Sequence, residues 1–147
     1  MRYICFDLGD KRTGVAVGDA ETRIVSPIDQ IEVSISADNG NALLDAIDRA
    51  VKEHLGAGRG EIVVGLPLNM DGTEGPRAIA ARATAARIAA RTSRRVHLFD
   101  ERLTSAEADW SMAGSGLTHG QKKQRRDALA AAAILRGFLS QQSPQEP

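Results

Sequence analysis

Apolar residues first gather at positions 3–6 (Tyr3, Ile4, Cys5 and Phe6), and a carboxylate, Asp7, cuts the run at its end. A loop of glycine and charge (Gly9, Asp10, Lys11 and Arg12) separates it from a second β-prone run, which starts at Gly14 and continues through Val15, Ala16 and Val17. Two such runs about a short glycine-containing loop predict an antiparallel hairpin. Residues 23–32 predict a third strand, and Pro27 within it restricts that strand to a sheet edge or a bulge. Residues 36–40 supply N-cap chemistry for a helix over 41–55. On that helix Leu43, Ile47, Ala50, Val51 and Leu55 share one face, and Gly56 is a fitting stop. The short apolar run 61–65 predicts a buried parallel strand. Loop 66–77 carries a turn signal at Asp71-Gly72 and ends at Gly75-Pro76, where proline suits the first turn of a helix. An alanine-rich helix over 78–91 and a strand over 95–99 follow, and this strand too ends at carboxylates, Asp100 and Glu101. Next come a helix from 102 to about 112, a flexible stretch over 113–120 and a final helix over 121–139.

Three strands in antiparallel connection followed by strand–helix units predict an α/β protein: a mixed five-stranded sheet, first strand central, helices on both faces. Ligands of such sheets bind beyond the carboxyl ends of the parallel strands. Asp7, residues 66–69 and the Asp100-Glu101 pair all fall at such ends, so they share one rim if their strands are neighbours. Residues 1–139 read as a single domain and 140–147 as a disordered polar tail.

Composition narrows the picture. The chain has 147 residues, and 19 basic and 19 acidic residues cancel, so a nucleic-acid partner has to be met by a local patch. One cysteine, Cys5, excludes an internal disulfide and points to a reducing compartment. The N-terminus meets Asp7 too early for a signal peptide, and no run approaches membrane-spanning length, so a cytoplasmic location with no membrane partner is expected. Scarce aromatics argue against extensive base-stacking platforms, and Tyr3 and Trp110 read as core residues. His54, His97 and His119 are scattered, which gives no zinc spacing.

A further acid, Asp127, shares a helical face with Ala130, Ala131, Ile134 and Phe138, so it points towards the sheet at the edge of a core stripe. Each acid has a plainer reading: Asp7 as a turn residue capping its loop, Asp127 as a partner of the helix dipole. Three acids converging on one rim would repel one another, and a hard divalent cation resolves that repulsion. Two such ions at a phosphodiester activate water and stabilise the leaving oxygen.

Four segments, FDLGDKRTGVAVGD, IVVGLPLNMDGTEGPRA, FDERLTSAEA and KKQRRDALAAAAIL, stand in this order. Together they closely resemble the YqgF (RuvX) family, bacterial proteins described as Holliday-junction resolvases or pre-16S ribosomal RNA nucleases. The resemblance spans residues 3–139, and it implies a ribonuclease-H-like fold. It puts Asp7, Glu101 and Asp127 on the family's acidic positions, as catalytic residues and ligands of one or two Mg²⁺ or Mn²⁺ ions. Asp100 is then free to orient Arg102. Arg126, Ser105 and Gly18 depart from the family pattern, and Arg126 raises a question because it could pair with Asp127.

The activity so implied is metal-dependent hydrolysis of phosphodiester bonds, in 5′ maturation of pre-16S ribosomal RNA. One alternative is resolution of branched DNA at Holliday junctions; another is a non-catalytic, nucleic-acid-binding ribosome-assembly factor. A third is ATP binding of the actin and hexokinase type, but a chain of this length lacks the second lobe which that cleft requires. Lys11, Arg12, Arg77, Arg102, Lys122, Lys123 and Arg126, with Arg125, are the candidate phosphate contacts, although basic residues on a helix are also ordinary solvated surface. Arg82, Arg87 and Arg91 read as structural. Loops 67–75 and 113–120 are expected to be the least ordered internal segments. The sequence is compatible with a monomer or a weak homodimer.

Overall fold

The computed structural model describes residues 1–104 and 119–142, with the backbone alone described over 119–124. Its elements are β1 Arg2–Leu8, β2 Thr13–Asp19, β3 Val25–Ile31, α1 Asn41–Leu55, β4 Glu61–Leu66, α2 Pro76–Thr92, β5 Val96–Asp100 and α3 His119–Gln141. They form one sheet in the order β3-β2-β1-β4-β5. β1 is central, antiparallel to β2 and parallel to β4, and β5 continues the parallel half. The mixed five-stranded sheet and its central first strand are those expected from the sequence.

Strands 1 and 4 are buried on both faces, which is why they read as continuous apolar runs rather than alternating ones. On one face Ile4, Phe6, Ile62 and Val64 pack beneath Leu43, Ile47 and Val51 of α1 and Ala81, Ala85 and Ile88 of α2. On the other, Tyr3, Cys5, Val63 and Phe99 lie beneath Ile134, Leu135 and Phe138 of α3. Small residues let α3 approach β2 closely, since Ala16 meets Ala131 and Ala132 there. Tyr3 is in the core, edge-on to Phe138 with ring centroids 5.2 Å apart. His97 is partly packed and hydrogen-bonded to Glu61.

β3 is an edge strand, and its register against β2 slips between Val15 and Ala16, which face Asp29 and Pro27. Ile28 is the extra residue, so both expectations for Pro27, edge and bulge, are met. Arg87 and Arg91 are structural: Arg87 donates to the Asn39 carbonyl and to Asn41, and Arg91 pairs with Asp45 at 2.7 Å.

Several boundaries differ from the expectation. No side chain of residues 36–40 caps α1. The N-cap is Gly40, preceded by Asp38 and Asn39 at positive φ, and Arg87 of α2 donates to the Asn39 carbonyl of that turn. α3 is described over His119–Gln141, which reaches past both ends of the 121–139 expected. After β5 the chain makes a single 3₁₀ turn, Glu101–Leu103. The rest of the helix expected over 102–112, Trp110, the stretch 113–118 and the tail 143–147 lie outside the described residues. Among the described residues no helix is long and apolar enough to cross a membrane.

Candidate active site

Asp7 sits near the carboxyl end of β1, opposite Gly14 of β2. The alternation that points Tyr3 and Cys5 at α3 points Asp7 the same way. Phe6 pairs with Val64, so the next position across β4 is Gly65, which itself pairs with Phe99. Glycine therefore stands on both sides of Asp7 in the sheet, and each glycine leaves room for one group.

Over Gly65 lies Glu101. A Cβ at residue 65 would come within 2.5 Å of Glu101 Oε1, 2.9 Å of its Cγ and 2.8 Å of Ile134 Cδ1. The Glu101 side chain thus crosses β4 from the end of β5 and shares a hydrogen bond with Asp7. Over Gly14 lies α3, whose Asp127 carbonyl occupies the space a Cβ would take. This close approach brings the third acid to the same end of the sheet.

The electrostatics follow from the geometry. Glu101 is pushed up to about 9, first by burial, then by the hydrogen bond with Asp7 and by the negative charge there. Asp100 adds to the rise and Arg77 opposes it. The buried Cys5 thiol is raised by burial and by the charges of Asp7 and Glu101, so it is a poor nucleophile. Asp100 is held below the usual carboxylate range, chiefly by Arg102, which donates Nε and Nη2 to it at 3.0 and 2.7 Å.

Asp127 is in the third turn of α3, on the face expected of it, but its carboxylate is 3.3 Å from Nε of Arg12 in the hairpin loop. The pairing foreseen with the adjacent Arg126 is replaced by this one. Successive helical residues point about 100° apart, and Arg126 is exposed while Asp127 is half-buried. Among the described residues no three carboxylates, imidazoles or thiols stand close enough to hold an ion together. Two of the three candidate acids meet; the third, on the helix that crosses Gly14, is tied to a cation. That tie is light: the Arg12 side chain is 55% exposed and the Asp127 side chain 29%, and a pair so open to solvent contributes about 0–1 kcal/mol.

Of the candidate phosphate contacts, Lys11, Arg12, Arg77, Arg102 and Arg126 are exposed. The side chains of Lys122 and Lys123 lie outside the described residues. Arg102 also donates to the Met70 carbonyl at 3.2 Å, which joins loop 67–75 to the turn after β5. Sequence reasoning passed over Gly14 and Gly65, the residues that let the acids approach. The signal available was a glycine at the matching place in each strand beside Asp7.

The strand order and the carboxylates at the ends of β1 and β5 define an α/β protein of the ribonuclease-H-like class. In agreement, the chain is similar over 97% of both chains to a solved structure described as T. thermophilus RuvC in complex with Holliday junction substrate, with a TM-score of 0.57 and 16% identity. A weaker likeness, with a TM-score of 0.50 and 21% identity, covers 74% of this chain and 40% of the ethanolamine utilization protein EutJ from Carboxydothermus hydrogenoformans. Residues 1–141 match the family described as RuvX: Holliday junction resolvase, and the chain belongs to that family. It is 40% identical to a protein named "Putative pre-16S rRNA nuclease" from Anaeromyxobacter sp. (strain K), across 98% of this chain and 100% of that one. A protein of the same name from Pelotomaculum thermopropionicum is 39% identical, across 97% of this chain and 88% of that one.

Proposed function

We propose that this chain is a divalent-metal-dependent endonuclease that trims the 5′ side of pre-16S ribosomal RNA in the cytoplasm, with Asp7, Glu101 and Asp127 as its catalytic acids. The observation that carries the reading is the half-buried Asp7–Glu101 pair, two carboxyls side by side at the carboxyl ends of the parallel strands. Such a pair is unfavourable unless a proton or a cation relieves the repulsion. Its oxygen-only donor set fits Mg²⁺ or Mn²⁺ and not a soft metal. Asp7 and Glu101 would hold the ion, and Asp127 would join them on release from Arg12. When bound, the ion supplies an activated water and charge neutralisation at the leaving oxygen. Arg12, freed in the same exchange, is placed to receive a phosphate. Lys11, Arg77, Arg102, Lys122, Lys123 and Arg126 complete the basic surround, and Asp100 fixes the direction of the Arg102 fork.

The test is cleavage of pre-rRNA fragments with Mg²⁺ or Mn²⁺. Metal-dependent cuts on the 5′ side of the mature sequence are the expected result, and their absence at every metal concentration overturns the reading. Four-way DNA junctions belong in the same assay. The likeness to a resolvase structure covering almost the whole chain favours branched DNA as the second reading, and junction cleavage without RNA cleavage would establish it. Binding without any cleavage would leave the assembly-factor alternative.

Arg102→Gln is expected to weaken nucleic-acid binding about 3–10-fold and to reduce the salt slope by about one. Asp100→Asn, which unties the same guanidinium, is expected to act in the same direction but less. Titrations at several salt concentrations check both, and an unchanged slope for Arg102→Gln removes that residue from the phosphate contacts.

A further inference from the structure

Met70 is 89% exposed, more than any other large apolar residue described. A single exposed apolar residue is ordinary on a protein surface. What sets Met70 apart is the scaffold beneath it, because loop 67–75, expected to be loosely ordered, is internally tied. Gly72 N–H donates to the Asn69 carbonyl at 2.9 Å, closing a turn with Met70 and Asp71 at its centre, and Gly72 takes φ +87°. Asn69 N–H donates to the Thr73 carbonyl at 2.9 Å, and Asn69 Nδ2 to Thr73 Oγ1 at 3.0 Å. The Thr73 amide and hydroxyl both donate to Asp71 Oδ1, at 3.0 and 2.6 Å. Arg102 then pins the apex from outside through the Met70 carbonyl. A turn braced at this many points holds its apical side chain in water by construction.

The placement indicates the occupant. Arg102 is next in the chain to Glu101, so the Met70 apex is one hydrogen bond away from the turn that carries the proposed acid. Leu103, beside Arg102 in the chain, is also exposed at 59%; Arg102 bonds the Met70 carbonyl, and the exposed Arg77 acts on Glu101. Apolar side chains flanked by cations match the surface of a nucleic acid, where bases are apolar and their backbone is anionic. Methionine and leucine are among the side chains that enter between base steps and unstack them. Asp7 and Glu101 are half-buried, and unstacking the neighbouring base step would free a phosphodiester to approach them.

We propose that Met70 is a nucleobase wedge that separates the base step beside the scissile phosphate. This rests on the reading that the Asp7–Glu101 site cleaves nucleic acid. The probes are an RNA stem with a single-stranded 5′ flank and a four-way DNA junction, each carrying 2-aminopurine at the branch. In EDTA, where no cleavage occurs, the wild-type protein is expected to raise the fluorescence about threefold or more on the probe it binds. Met70→Ser should bind within about twofold yet lose most of that rise, and Met70→Leu should restore it. With Mn²⁺, Met70→Ser should slow cleavage of the paired probe about tenfold or more, but a probe already bulged at the branch by only about twofold. An unchanged rise in Met70→Ser, or equal slowing on both probes, overturns the wedge. A wild-type rise that Met70→Ser abolishes, with no cleavage of any probe, overturns the nuclease reading while leaving Met70 as a base-separating contact, so the two failures are distinguishable.

Discussion

Asp7→Asn is expected to lower cleavage by about a thousandfold or more while the metal-free protein becomes at least as stable as wild type. Asparagine keeps the size and hydrogen-bonding reach of aspartate at a position fixed between Gly14 and Gly65, so the sheet has no reason to rearrange. What is lost is the charge that draws a divalent cation to the centre of the site, and losses of several kcal/mol in transition-state stabilisation correspond to this range of rate. Nucleic-acid affinity should hold or rise slightly, because a negative charge near the phosphates is gone. Wild-type-like cleavage by Asp7→Asn would place the chemistry elsewhere or in a contaminant.

The same site gives the metal-free protein a particular pH dependence. Glu101 is raised from its ordinary value of 4.5 to about 9, so the folded state binds this proton more tightly than the unfolded state. The stabilisation is fully present below pH 4.5 and is lost as pH rises through about 9. In EDTA, wild-type stability should therefore fall across this window, with the Glu101→Gln protein changing less. Gln at 101 should be the more stable at pH 8 by on the order of 1–3 kcal/mol. Urea midpoints at pH 5 and pH 8 check it, and parallel slopes for the two proteins would refute it.

The second large effect comes from a residue with no chemistry of its own. Gly65→Ala is expected to reduce cleavage about a hundredfold, with a smaller loss of stability than a methyl at Gly14 would cause. The added methyl meets Glu101 Oε1 and Cγ and Ile134 Cδ1; the Glu101 side chain can swing away, while the buried Ile134 has to shift within the core. Moving it separates the acid pair, which removes the ion's ligands and also relieves their repulsion. Displacements of about 1 Å in catalytic groups cost about this much rate. Gly14→Ala makes the informative contrast, since its methyl meets the backbone of α3 at Asp127 and that helix cannot turn aside. Here stability should fall by about 2 kcal/mol or more. Thermal midpoints and cleavage rates measured on both proteins test the distinction. A Gly65→Ala enzyme of normal rate would mean that Glu101 need not lie across β4.

Much of this was legible in the sequence because it is local. Apolar runs ending in carboxylates at Asp7 and at Asp100-Glu101 placed the acids at strand ends, and the run lengths predicted β1 and β4 as buried strands. A three-and-four spacing put Asp127 on the core face of its helix. Pro27 marked the edge strand. These features depend on side-chain alternation, helical period and backbone donors, which neighbouring residues determine.

Tertiary structure decided which charges distant in sequence meet. Asp7 and Glu101, far apart in sequence, become partners because Gly65 leaves a passage across β4. Asp127 takes Arg12 from the opposite end of the chain and not Arg126 beside it, because adjacent helical side chains diverge while the hairpin loop is folded back over α3. The turn before α1 is held by Arg87 of another helix, which donates to the Asn39 carbonyl, and the serine and asparagine that the sequence offered nearby do not cap α1. Loop 67–75 has the glycine and polar content of a mobile segment, but Arg102 from beyond β5 and its own Asp71–Thr73 bonds hold it. Charge pairing over such separations is set by distance in space, and the order of residues along the chain carries no measure of it until the sheet has brought the strands together.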